Sequence, residues 1–171
     1  MAVTYTPIAT GITTGSSNGV TFTSIPQTYT DLLIVVNYRS AYSGAYDNLL
    51  LNANNTANGN YSSTLLIGNG SSASSTRYTG DYYGSTCGFV PAASTTSGTF
   101  GSTIIQIMNY TNTTTFKTAI TRSNTVGTNT VAAVSLLRGT GAITELTPFV
   151  YGNSSNLVSG STATLYGIKS A

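Results

Sequence analysis

The feature that most restricts how this chain can fold is its punctuation. Short β-prone runs are broken about every 8–12 residues by Gly, Asn and Ser, a spacing that belongs to sandwiches and barrels of short strands. The runs are Val3–Ile8, Gly19–Thr23, Leu32–Arg39, Asn48–Asn52, Ser63–Ile67, Arg77–Tyr83, Gly88–Val90, Thr99–Met108, Phe116–Arg122, Val131–Leu137, Ile143–Tyr151 and Ala163–Ile168. No segment sustains a 3.6-residue apolar period between capping residues, so helix content is expected to be low, with Gln27–Asp31 as the one place for a short helical turn. The pattern predicts an all-β fold: a single antiparallel β-sandwich, jelly-roll-like, spanning residues 1–171, with residues 1–18 available as an extended N-terminal arm.

The runs also carry burial expectations. Leu32–Val36 is apolar on both strand faces and predicts a central strand covered on both sides, and Ile104–Met108 reads the same way apart from Gln106. In Phe116–Arg122, alternation assigns Phe116, Thr118 and Ile120 to the core and Lys117, Ala119 and Thr121 to a wetter face. Asn52–Ser75 is the most loop-like stretch, interrupted by Thr64–Ile67, and Ala92–Gly98 is a polar connector. Gly68–Gly70 and Gly139–Gly141 lack the third Gly and the helix of a nucleotide-binding loop and are read as turns, the second as a hairpin or bulge between Leu137 and Ile143.

Composition then narrows the function. The chain has 32 Thr, 22 Ser, 15 Asn and 18 Gly, about half of its 171 residues, and only 6% charged residues. Thr suits such strands because its β-branch fits a pleat while its hydroxyl tolerates water. Twelve Tyr and five Phe set it apart from a disordered Ser/Thr/Asn-rich chain. The six cations, Arg39, Arg77, Lys117, Arg122, Arg138 and Lys169, are dispersed and form no phosphate-binding cluster, so nucleic acid is not an expected partner. With no His and a single Cys, neither a Ser-His-Asp or Cys-His catalytic set nor a His- or Cys-paired zinc site can be assembled, and Cys87 is expected as a small buried residue.

The four acids are Asp31, Asp47, Asp81 and Glu145. A glycosidase needs two carboxylates across one sugar bond, and no motif pairs any two of these. Asp81, followed by Tyr82 and Tyr83, offers a sugar-stacking platform, against the plainer reading of a turn acid followed by cross-strand aromatics. Asp47, Asn48, Asn52 and Asn54 supply oxygens for calcium but only one carboxylate, and no calcium-loop pattern. No catalytic, cofactor-binding or metal-ligating residue is therefore assigned, and the expectation is a protein that is not an enzyme and needs no cofactor. The start MAVTYTPIAT lacks a signal-peptide pattern, and the longest purely apolar run, Leu32–Val36, is far below the ~20 residues of a membrane helix, so synthesis in a cytoplasm without membrane attachment is expected. The tyrosines exceed what a sandwich core needs and point to subunit contacts or sugar platforms.

Several segments resemble a family. Phe22–Val36, Asn58–Ser62, Asn109–Thr118, Leu137–Thr144 and Ala163–Lys169 are similar to stretches of small virion structural proteins of tailed bacteriophages, common in phages of cyanobacteria and marine bacteria. The resemblance runs from Phe22 nearly to the end and contains no catalytic motif, so it implies a role and a compartment, the particle surface, and no reaction. The chain departs from many of these proteins in having no Trp and a Gly-rich Arg138–Gly141 turn. The expectation is a capsid-decorating or cement protein, a homotrimer seated on the major capsid protein. The alternative is a tail-fibre or receptor-binding module that contacts host glycans, and a glycan-cleaving enzyme ranks last.

Overall fold

A computed structural model describes residues 5–56, 60–81, 83–152 and 156–169. The described residues form eleven strands and no helix. They are β1 (Tyr5–Ile12), β2 (Asp31–Tyr38), β3 (Tyr46–Ala53), β4 (Tyr61–Gly68), β5 (Ala73–Asp81), β6 (Ser85–Pro91), β7 (Gly101–Ile107), β8 (Lys117–Thr125), β9 (Asn129–Leu137), β10 (Leu146–Val150) and β11 (Thr162–Ile168). Eight strands make one antiparallel sheet in the order β1-β11-β2-β7-β8-β9-β4-β5, and three make a second in the order β10-β3-β6. The small sheet lies on one face of the large one, which makes the chain an antiparallel β-sandwich of unequal layers.

Among the described residues, each expected run except Gly19–Thr23 contributes to a strand. Gly19–Thr23 contributes only isolated bridges to β10, Gly19 to Phe149 and Phe22 to Leu146. The helical turn expected at Gln27–Asp31 is absent. The Gln27 side chain instead donates to the carbonyls of Ile25 and Ile143, holding that segment irregular. Residues 5–12 of the expected N-terminal arm pair with β11 at the edge of the chain's own large sheet. The loop-like stretch Asn52–Ser75 is half strand, because β4 fixes the register of β5 from Gly68–Ala73 onward and draws Ala73–Ser75 into the sheet. Gly68–Gly70 forms the β4–β5 turn, where the Asn69 side chain accepts from the amides of Ser71 and Ser72 and Gly70 takes a positive φ. Gly139–Gly141 is not a hairpin: β9 and β10 belong to different sheets, and this segment starts the crossing between them.

The core is built in two zones. Leu32, Ile34, Val36, Ile105, Ile107 and Leu165 of β2, β7 and β11 pack against Leu49 and Leu51 of β3 and Leu146 and Val150 of β10. Beside them, β6 lies against β8, β9 and β4. There the large sheet turns small and hydroxyl side chains inward, among them Ala119, Thr121, Ser123, Ala133, Ser135 and Ser63, with Leu65, Phe89 and Val131 as the apolar centre. The approach is closest at Gly88, whose φ is +120° and where a Cβ would overlap the Ser123 hydroxyl.

This proximity inverts the expected facing of β8. Lys117, Ala119 and Thr121 are buried, whereas Ile120 and the preceding Phe116 are exposed. Alternation is present, but the space under β6 admits only small side chains, so the larger ones face outward. The expectation for β2 and β7 is corrected in part. Both lie centrally in the large sheet, yet only one face is covered, and Val35 and Ile104 are each 36% exposed.

Candidate functional site

The outer face of the large sheet is the most distinctive surface of the molecule. Register places its residues in rows that run across the strands. One row reads Tyr166, Leu33, Gln106, Ile120, Val134 and Thr64. The next reads Thr164, Val35, Ile104, Arg122, Ala132 and Leu66. Leu66 is 62% exposed, Val134 53% and Ile120 47%. Large aliphatic side chains thus occupy the open face of five consecutive strands, β2, β7, β8, β9 and β4. The flanking row Thr162, Asn37 and Ser102 is polar, which bounds the aliphatic zone at one end. Asp31, Arg77, Arg122 and Arg138 are the charged side chains of this face, three cations to one anion, and Arg138 donates to the Ser62 hydroxyl at 3.0 Å.

Each of the four acids has its own local setting. Among the described residues no three acid, Cys or His groups converge. Asp31 accepts from the Asn109 amide at 2.8 Å. Asp47 is buried on β3, where Ser40 donates to it at 2.5 Å and Gly152 packs directly on the carboxylate. Burial raises its pKa, opposed by the Ser40 hydrogen bond. Asp81 ends β5 within reach of the Thr86 hydroxyl at 3.4 Å, and burial raises its pKa too. Glu145 sits in the approach to β10, its amide bonded to the Asn54 side chain. The residues weighed for calcium serve separate loops: the Asn52 side-chain amide donates to the carbonyls of Thr56 and Tyr83, and Asn54 donates to the Ala142 carbonyl while its Oδ1 accepts from the Thr144 and Glu145 amides.

Of the Tyr82–Tyr83 platform, Tyr82 lies outside the described residues, and Tyr83 packs on Tyr151 with ring centroids 4.7 Å apart. Tyr42, Tyr46 and Tyr151 border a cleft of about 460 Å³ together with Asp47 and Asn48. Tyr38, Tyr61 and Tyr110 are core residues whose hydroxyls reach Pro148, Ala53 and Pro26 carbonyls. Cys87 is fully buried, and burial pushes its thiol up to about 11, which leaves it unreactive.

Two cations serve the interior. Arg39 donates to Thr95 Oγ1 and to the carbonyls of Ala93, Thr95, Thr96 and Thr99, fixing the β6–β7 connection. Lys117 Nζ donates to the carbonyls of Thr115, Gly139, Thr140 and Gly141, fixing the start of the β9–β10 crossing. Lys169 lies 5.6 Å from the centre of the Tyr29 ring.

Leu66, Ile120 and Val134 are the candidate functional residues that sequence reasoning missed. Their only signal was alternation, which gives a period but not the side that faces the core. The fold and this face together define an antiparallel β-sandwich with an unpartnered aliphatic surface. No family model, curated protein or solved structure matches the chain.

Proposed function

We propose that the protein is a non-enzymatic structural protein of a tailed-phage virion, carried on the particle surface as a decoration of the head shell. The observation that carries this reading is the aliphatic outer face of the large sheet. A single chain leaves it open to water, and assembly removes it from water. The sequence resemblance to small virion proteins supplies the compartment. In this reading the chain is made in the host cytoplasm, joins the particle by contact with the major capsid protein and with its own copies, and leaves the cell at lysis. The test is a reconstruction of purified particles with a copy number per particle. Hundreds of copies on the head are expected, and a few to a few tens at the tail would reject decoration.

The tail-fibre reading draws on one observation of its own, the cleft bordered by Tyr42, Tyr46 and Tyr151. Tyrosine rings stack on sugar faces, and Asn48 offers hydrogen bonds beside them. Binding to isolated host polysaccharide, lost in Tyr46→Ala with Tyr151→Ala, supports this second reading over the first.

A further inference from the structure

We infer that the outer face of the three-stranded sheet carries an extended groove for an uncharged linear glycan, running from the Tyr42–Tyr46 cleft across the Tyr83–Tyr151 ring pair into a second cleft beyond it. The inference rests on the glycan reading of the first cleft and goes further by fixing the extent of the site and the charge class of its ligand.

β3 and β10 set out the groove. On β3, Leu49 and Leu51 turn inward to the core, so Tyr46, Asn48, Leu50 and Asn52 turn outward. Pairing puts Thr147 beside Asn52 and Phe149 beside Leu50, and the Tyr151 amide donates to the Asn48 carbonyl at 3.2 Å. At a strand rise of ~3.4 Å per residue, the row from Tyr46 to Asn52 spans about 20 Å. At one end Tyr42, Tyr46 and Tyr151 border the cleft of about 460 Å³. At the other, Asn18, Asn52, Asn55, Tyr83, Thr147 and Phe149 border a second cleft of about 410 Å³. The two meet where Tyr83 packs on Tyr151. Asn52 donates to the Tyr83 carbonyl at 2.7 Å and so fixes the place of that ring. Tyr46, Tyr83 and Tyr151 all keep nearly half of their surface open to water.

Open ring faces separated by amide side chains match a saccharide, which offers a C–H face for stacking on tyrosine and hydroxyls at its edge for Asn and Thr. A strip two strands wide and about 20 Å long covers roughly 200 Å². That is well short of the ~800 Å² each partner contributes to a stable protein interface, and it suits a ligand that is long and narrow. Leu50, the aliphatic member of the row, is buried, whereas the outer face of the large sheet turns Leu66, Ile120 and Val134 to water. Charge then sorts the glycans. Asp47 lines the first cleft and Glu145 the second, and none of the six Lys and Arg side chains lines either. A uronate, sialate or phosphate group entering the groove is taken out of water with no cation to pair with it, which is costly. Hydroxyl and acetamido groups carry no such penalty.

The experiment is binding of the purified full chain to an array of uncharged and acid-bearing glycans of increasing chain length, then calorimetry on the strongest uncharged series, with circular dichroism and thermal melting as fold controls. An uncharged series whose affinity rises with length beyond a disaccharide is expected, and acid-bearing members should bind at least about 10-fold more weakly. Tyr46→Ala should weaken binding at every length by about 10-fold. Tyr83→Ala should weaken only the longer chains, by about 10-fold, and so remove the rise with length. Tyr83→Leu, which keeps bulk but not the flat ring, should give the same loss if the alanine variant fails to fold, and Tyr83→Phe should keep the rise. Val126→Thr, in the β8–β9 turn of the other sheet, should change nothing. Equal or stronger binding of acid-bearing glycans, or a length dependence indifferent to Tyr83, would overturn the inference and leave the glycan reading of the first cleft standing. No glycan bound at any length would overturn both, and loss of the Tyr46 and Tyr83 variants from particles would then assign the groove to a protein contact. Copy number on particles is a separate measurement, so the virion reading stands or falls independently.

Discussion

The two zones of the sandwich solve the same packing problem with opposite materials. Where β2, β7 and β11 meet β3 and β10, aliphatic side chains from both sheets fill the gap, and two layers of Leu, Ile and Val keep the backbones apart. Where β8, β9 and β4 meet β6, Ala, Ser and Thr fill it, and the backbones draw together until Gly88 rests against Ser123. The first zone derives its cohesion from buried apolar area. The second buries hydroxyls, some paired, as Ser135 is to Ser63 at 3.2 Å, and some not, as with Ser123 Oγ. An unpaired buried hydroxyl costs free energy. The second zone therefore gains less from its own interior and keeps its largest apolar groups outside, where a partner can cover them.

The largest effect that would break this contrast is expected at Gly88. Gly88→Ala combines a left-handed backbone with overlap on Ser123 and should cost about 4 kcal/mol, read by denaturant unfolding. Adding Ser123→Ala should recover roughly half of that by opening space, and no recovery would show that the close approach is not what sets the zone.

A slightly smaller effect sharpens the contrast between inside and outside. Ile34→Ala in the aliphatic zone should cost about 3–4 kcal/mol, whereas Ile120→Ala, on the open face, should cost under about 0.5 kcal/mol in protein dilute enough to be monomeric. Equal losses would mean that the outer face is covered within one chain. Val35→Asp belongs with Ile120, since its partial exposure lets the new charge be hydrated.

The smallest effect concerns pH. Burial holds the Asp47 carboxyl above its ordinary 3.8, so the folded state binds that proton more readily than the unfolded chain. Stability is then lost as pH rises from about 4 through the raised folded value, and regained on acidification through the same window. Asp81 is shifted in the same direction. Asp47→Asn should melt about 2–4 °C higher than the wild type at pH 7, with the gap closing towards pH 4. A variant less stable than the wild type at pH 7 would show that the ionised carboxylate is favoured.

How much was legible follows from where each constraint resides. Leu32–Val36 is written in its own residues, because a β-branched aliphatic run between polar turns has few alternatives to a central strand. Ala73–Ser75 is not, since three small residues become strand only because β4 supplies the ladder. The facing of β8 was misread for a related reason. Phe116, Thr118 and Ile120 alternate with Lys117, Ala119 and Thr121 whichever side is buried, and the choice is made by β6, more than twenty residues upstream. A buried lysine gives no sequence signal either, as its carbonyl partners at Gly139–Gly141 come together only through the crossing between sheets. The candidate face was thus hidden in sequence even though the strands that carry it were not.

The inward use of Arg39 and Lys117 has a consequence for crowding. With those two cations turned to backbone carbonyls and Asp47 buried, the remaining ionic side chains are Arg77, Arg122, Arg138 and Lys169 against Asp31, Asp81 and Glu145. Each copy carries a formal net charge of only +2 at pH 7, so a layer built from many such molecules has a low electrical density. Adjacent molecules in that layer repel one another weakly and need few counter-ions to close up, so shape sets most of the spacing between them.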